Sequence, residues 1–148
     1  MSYQTQNPEG VKQLFESDPE YVYVDVRSQQ EFEQGHVPGA YNIPLLFMTP
    51  AGMQPNPAFL AVVTRRFPKT QKIVFGCRSG QRSARACELL EPRGYAHLVN
   101  MAGGFLGATD MSGNVLEQGW VACGFDTTRA SLPGRSWREL ESGDKAAQ

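Results

Sequence analysis

No apolar run in the 148 residues approaches the roughly 20 that a membrane-spanning helix needs. The opening M-S-Y-Q-T-Q-N-P-E-G has neither the basic start nor the apolar stretch of a secretory signal. There is no surplus of either charge: the net of −1 gives no reason to expect nucleic acid or an anionic membrane as partner. Only three cysteines occur, none at C-x-x-C or zinc-ligand spacing. No metal or organic cofactor is implied. An odd cysteine count without a signal fits a reducing cytoplasm. Internal repeats and low-complexity segments are also missing. What remains, 41% hydrophobic and 20% charged residues, is the composition of a soluble globular protein of one domain and one core.

Turn and cap residues divide the chain into alternating elements. Asn7-Pro8 caps a helix whose apolar face is Val11, Leu14 and Phe15. Tyr21 to Val26 has the β-branched and aromatic content of a strand. Ser28 with Glu31 forms a capping box for a short helix over about Ser28 to Gln34. Gly35 to Gly39 makes a turn, and Ala40 to Ile43 a short strand. Leu46 to Asn56, rich in proline, glycine and methionine, reads as a loop. Asn56-Pro57 starts another helix, with Phe59, Leu60, Val63 and Phe67 on one side. Ile73 to Phe75 is a buried strand, and a helix then runs to about Glu91, stopped by Pro92 and Gly94. His97 to Val99 is a last short strand. Strands separated by helices imply a parallel α/β sheet covered on both faces.

The stretch with most chemistry follows that buried strand: G-C-R-S-G-Q-R-S-A-R from Gly76 to Arg85. A strand, a tight loop and a helix start aim successive N–H groups at one point, which favours an anion. A cysteine held there is expected to ionise readily and act as a nucleophile. Arg78 and Arg82, with Arg85 a turn further on, add positive field. Ligands of such sheets bind at the carboxyl ends of strands, where Cys77 falls. Cys77 is therefore the candidate nucleophile for small anions. Cys87, beside Ala84 and Leu90, and Cys123, in W-V-A-C-G-F, have no such setting and are expected to be packing residues.

Two segments carry a family resemblance. Y-V-Y-V-D-V-R-S-Q-Q-E-F-E-Q-G-H-V-P-G-A-Y-N-I-P (Tyr21 to Pro44) is one; C-R-S-G-Q-R-S, followed after a helix by M-A-G-G-F, is the other. In this order they resemble a single-domain rhodanese, a sulfurtransferase module, over about residues 8 to 125. The resemblance implies a three-layer α/β fold with a central, mostly parallel five-stranded sheet and helices on both faces. It also implies sulfur transfer from thiosulfate or another small anionic donor, through a Cys77 persulfide, to cyanide, a thiol or a protein acceptor. Arg78, Ser79, Gly80, Gln81, Arg82 and Ser83 would cradle the substrate. Asp25, Arg27 and His36 are assigned to scaffold near the site.

Two other readings compete. Phosphatases and arsenate reductases of related fold wrap a tetrahedral oxyanion with Cys-x5-Arg, whereas Cys77 to Arg82 is Cys-x4-Arg, a smaller ring suited to one sulfur. They also usually carry histidine where this chain has Gly76. A protein-fed persulfide carrier would need the same cysteine and cradle. The rhodanese domain is set at residues 5–126. Residues 127–148 are read as an extension, with Trp137 and Leu132, that straps across its own domain; a dimer contact or a shield over Cys77 is the alternative. Monomer and homodimer both remain open. Gly143 to Gln148 are expected to be disordered.

Overall fold

Alternate residues of the central strands enter two separate apolar cores, one on each face of the sheet, rather than the one core expected from length and composition, and this explains the layering. The computed structural model describes residues 3–143. In chain order the elements are β1 (Gln4–Gln6), α1 (Pro8–Ser17), β2 (Tyr21–Asp25), α2 (Gln29–Glu33), β3 (Tyr41–Asn42), β4 (Leu46–Thr49) and β5 (Gly52–Pro55). Then come α3 (Phe59–Arg66), β6 (Lys72–Gly76), α4 (Gln81–Leu90), β7 (Leu98–Met101), β8 (Ala108–Thr109), β9 (Val115–Glu117) and α5 (Trp137–Glu141). The main sheet has the order β1-β7-β6-β2-β3, every pairing parallel. Val24, Ile73, Phe75 and Leu98 face α3, α4 and α5 through Phe59, Val63, Cys87, Leu90 and Trp137. Tyr23, Val74, Val99 and Met101 face α1 and α2 through Val11 and Phe32. The sheet is buried on both sides, as a parallel sheet requires.

Local signals set the helix starts. Asn7 Oδ1 accepts the Gly10 N–H at 2.8 Å, and Pro8 occupies the first turn. Ser28 and Glu31 cap α2 reciprocally. Beyond Leu90 a 3-10 turn, Glu91–Arg93, ends at Gly94, whose φ of 94° suits glycine.

Several expectations are revised. Leu46 to Asn56 is no loop: β4 and β5 pair antiparallel from Leu46↔Pro55 to Thr49↔Gly52. Strand β1 was not foreseen, because its Q-T-Q has no apolar residue and is recruited by backbone pairing to β7. Helix α3 begins at Phe59, since Asn56 spends its side chain on the Ala58 N–H and the Pro44 carbonyl; Val62 joins Phe59, Val63 and Phe67 in the core, and Leu60 packs against it partly buried. Strand β7 starts at Leu98 and runs on to Met101. Cys123 is half-buried in a turn, outside either core.

The C-terminal segment runs along the β3 edge. Thr128 and His36 exchange backbone hydrogen bonds at 2.8 and 2.9 Å. The Asn42 N–H donates to the Arg135 carbonyl, while Arg135 Nη1 donates to Gly39 O at 2.7 Å. A second capping box, Ser136 with Glu139, starts α5 and went unread in the sequence. Trp137 then packs on Phe47, and Arg65 donates to the Leu140 carbonyl. An unpaired strand edge is thereby covered by the chain's own tail. Gly143 lies in a turn after α5; the rest of the segment expected to be disordered, 144–148, lies outside the described residues.

Candidate active site

Strand β6 delivers Cys77 to the carboxyl edge of the sheet, and α4 begins four residues later. Gly80 makes the turn with φ 111°, a conformation that other residues rarely adopt. Its N–H donates to Cys77 Sγ at 3.0 Å, and the Ser83 N–H reaches the same sulfur at 3.4 Å. The Ser83 hydroxyl lies 3.4 Å from Sγ. Three polar groups thus converge on one sulfur that is itself only 1% exposed. The two backbone N–H groups are already aimed at the sulfur and need no reorganisation to hold an anion there.

The M-A-G-G-F segment holds the loop from beneath. Phe105 N–H donates to the Cys77 carbonyl at 2.7 Å and Leu106 N–H to the Arg78 carbonyl at 2.9 Å. Both carbonyls are thereby tied back. This approach demands Gly104, since a Cβ there would lie 2.5 Å from Arg78 C and from Cys77 O. Gly76 is required for a similar reason: the Tyr23 phenol fills the space of any side chain at that position.

Of the residues singled out in the sequence, Cys77, Gly80 and Ser83 meet at the sulfur. Arg78 and Gln81 are exposed, and Ser79 is half-buried. Arg82 is paired with Glu31, Nη1 to Oε1 at 2.8 Å and Nη2 to Oε2 at 3.0 Å. Burial alone would loosen the Arg82 proton, but Glu31 outweighs it and the pKa is raised. Asp25 and Arg27 form a buried ion pair at 2.8 Å, with Arg27 also bonding the Gly35 carbonyl and lying over the Phe105 ring. His36 is buried between the Phe32 and Ala130 carbonyls, at 2.8 and 2.9 Å from its two ring nitrogens. These three contact scaffold and have no hydrogen bond to Sγ.

The other two thiols differ. Burial pushes the Cys87 thiol far up, and burial also raises that of Cys123. Among the described residues no group of three potential metal ligands comes together. Two residues escaped the sequence reading. Glu31 was seen only as a cap, because its arginine partner lies 51 positions away. Asn100, bonded to Ser83, had a weak signal: a polar residue near the carboxyl end of an apolar strand, beside the edge where ligands bind.

The model of the Rhodanese-like domain matches residues 7–110. The chain belongs to the rhodanese-like domain family. This rhodanese-like chain is 38% identical over 103 residues to the protein HIGH ARSENIC CONTENT 1, mitochondrial, of Arabidopsis thaliana, a match covering 70% of this chain and 54% of that protein. It is 40% identical over 83 residues to thiosulfate sulfurtransferase 16, chloroplastic, of the same organism, covering 56% and 69% respectively. The crystal structure of Rv0390 from M. tuberculosis superposes with a TM-score of 0.74 at 26% identity, covering 88% of this chain and 100% of that one. The chain spans about half the length of the first curated relatives it matches. No helix of the rhodanese-like domain is long and apolar enough to cross a membrane, among the described residues.

Proposed function

We propose that this rhodanese-like domain is a sulfurtransferase that carries sulfane sulfur on Cys77. The carrying observation is the convergence of two N–H groups and one hydroxyl on Cys77 Sγ at the end of β6. In the first half-reaction the Cys77 thiolate attacks the outer sulfur of thiosulfate. Sulfite leaves with the electron pair of the broken S–S bond, and Cys77 holds a persulfide. In the second, cyanide or a thiol attacks the outer persulfide sulfur and the thiolate returns. Thiolate and persulfide are both anions, so one set of donors serves both states.

Arg78, exposed and without an ion pair among the described residues, meets the donor anion at the mouth with Ser79 and Gln81. Arg82 contributes less, since Glu31 shares its charge. The name of the relative thiosulfate sulfurtransferase 16 supports thiosulfate as donor. A protein donor or acceptor is served by the same cysteine. Three free cysteines suit a reducing compartment, and we assign the protein to the cytoplasm. The second reading is arsenic-oxyanion chemistry at Cys77, favoured by the name of one relative, HIGH ARSENIC CONTENT 1.

Intact-protein mass spectrometry after brief thiosulfate treatment tests the proposal. The expected result is a gain of one sulfur on the Cys77 peptide, lost on adding cyanide with release of thiocyanate. Cys77→Ser abolishes it, whereas Cys87→Ser and Cys123→Ser do not. Sulfur transfer that survives in Cys77→Ser sinks the mechanism. A Cys77 that alkylates but gains no sulfur, together with consumption of arsenate in the presence of dithiothreitol, moves the assignment to the second reading.

A further inference from the structure

The Ser83 hydroxyl is fully buried and has one hydrogen to give. Three acceptors surround it: Asn100 Oδ1 at 2.5 Å, the Gly80 carbonyl at 3.2 Å and Cys77 Sγ at 3.4 Å. With the hydrogen on Asn100, Ser83 Oγ offers only a lone pair to the sulfur. That arrangement fits a protonated thiol, whose S–H can donate to Oγ. It does not fit a thiolate or a persulfide anion, which needs the hydroxyl hydrogen for itself. If the hydroxyl alone turned towards sulfur, Asn100 Oδ1 would face the Oγ lone pair across a dry contact. An asparagine can relieve this, because a half-turn of its amide exchanges the acceptor Oδ1 for the donor Nδ2.

We propose that Asn100 is a positioning residue whose side-chain amide turns over as Cys77 passes from thiol to anion, setting the direction of the Ser83 hydroxyl. In the thiol state the chain of bonds runs from Cys77 S–H to Ser83 Oγ and from Ser83 O–H to Asn100 Oδ1. In the anionic state it runs from Asn100 Nδ2–H to Ser83 Oγ and from Ser83 O–H to Sγ. The thiol proton leaves to solvent, and no other covalent bond changes. The fold supplies the placement: β7 lies beside β6 with Asn100 in register with Phe75, two residues before the reactive cysteine. Asn100 is 6% exposed, so water is a poor substitute for either partner. The charged groups around the site are Arg82 on α4, Glu31 on α2, and Asp25 and Arg27 at the end of β2. These four form two pairs, while Arg78 next to Cys77 is exposed outside them and the Tyr23 phenol lies against Gly76; among the described residues none of the six hydrogen-bonds Asn100 or the Ser83 hydroxyl. The inference rests on Cys77 as the sulfur carrier, since a residue acting through Ser83 matters only if that sulfur reacts.

The test compares Asn100→Asp, Asn100→Leu, Ser83→Ala and the double variant Asn100→Asp/Ser83→Ala. The readout is the pH profile of Cys77 alkylation by iodoacetamide, read at the peptide level, with circular dichroism as the check on folding. Aspartate can only accept, so it holds the hydroxyl away from sulfur. The Asn100→Asp profile moves to higher pH, with alkylation at pH 7 slower by about tenfold, the factor that one such bond carries. Leucine competes for nothing and leaves the profile near that of the unmodified protein. Removing the Ser83 hydroxyl abolishes most of the aspartate effect. An aspartate effect of equal size in the Ser83→Ala background reflects charge through space and overturns the relay. Equal shifts from Asp and Leu overturn it too. Should the variants not fold, the Asn100 side-chain amide signals of the unmodified protein decide by NMR at pH values on either side of the alkylation midpoint. The relay requires one amide proton to move downfield with ionisation, and unchanged signals refute it. None of these readouts uses sulfur transfer, so failure of the sulfurtransferase reading is seen separately, as transfer that persists in Cys77→Ser.

Discussion

The Arg82 guanidinium grips both oxygens of the Glu31 carboxylate, at 2.8 and 3.0 Å, across 51 positions of chain. The same Glu31 Oε1 accepts from the Ser28 N–H and hydroxyl, each at 3.0 Å. One carboxylate therefore both caps α2 and anchors the first turn of α4 beside Cys77. The two halves of the family resemblance meet here.

Acid should break this junction in a defined window. Burial opposes ionisation of Glu31, but the bonds from Arg82 and Ser28 prevail and bring its pKa to about 2, from an ordinary 4.5. The depressed value means that the ionised carboxylate stabilises the fold fully above about pH 4.5, and that this is lost as pH falls towards 2. The contribution at neutral pH is at most about 3 kcal/mol. Urea unfolding of Glu31→Gln against the unmodified protein measures it. The stability gap should be widest at pH 7 and shrink steadily below pH 4.5; a gap that does not change with pH refutes the assignment.

The three thiols should separate by reagent size. Cys77 lies at the floor of its loop at 1% exposure, with the Gly80 and Ser83 N–H groups aimed at its sulfur. Small iodoacetamide should modify Cys77 and the half-buried Cys123, while Cys87, buried and with its thiol pushed up, stays protected in the native state. A maleimide carrying a polyethylene glycol chain should modify Cys123 alone. Peptide mapping distinguishes the sites. Native labelling of Cys87 ahead of Cys77 contradicts the ordering.

Gly76 should tolerate no side chain. The Tyr23 phenol occupies the position of a Cβ there, and Tyr23 is itself only 4% exposed, so it has little room to withdraw. Gly76→Ala should cost about 1–3 kcal/mol through overpacking, seen as a melting temperature lower by several degrees. In a Tyr23→Phe background, which removes the atom nearest to the new methyl, the penalty should be smaller. Equal penalties in both backgrounds would mean that the backbone, not the phenol, sets the requirement.

The starts of α1 and α2 and the reactive loop were legible because their causes are short-range. Asn7 bonds a residue three positions on, Ser28 and Glu31 bond each other, and the strand before Cys77, the left-handed Gly80 and the start of α4 are contiguous. Where the signal was absent or ambiguous, reading failed. Strand β1 has no apolar residue to betray it, and the Leu46–Pro55 hairpin was masked by prolines at its turn and its end. The α5 capping box was readable and was missed among the polar residues of the tail.

The chain by itself determined the α/β alternation, the cysteine on which chemistry would centre and Gly80, on which its loop turns, because each follows from interactions within a few residues. Only the tertiary structure decided that Arg82 answers to Glu31, that Asn100 competes for the Ser83 hydroxyl, and that the tail closes the β3 edge. These contacts join residues 17 to more than 90 positions apart. Their energies depend on burial and on which elements the sheet order makes neighbours, and no local pattern encodes that.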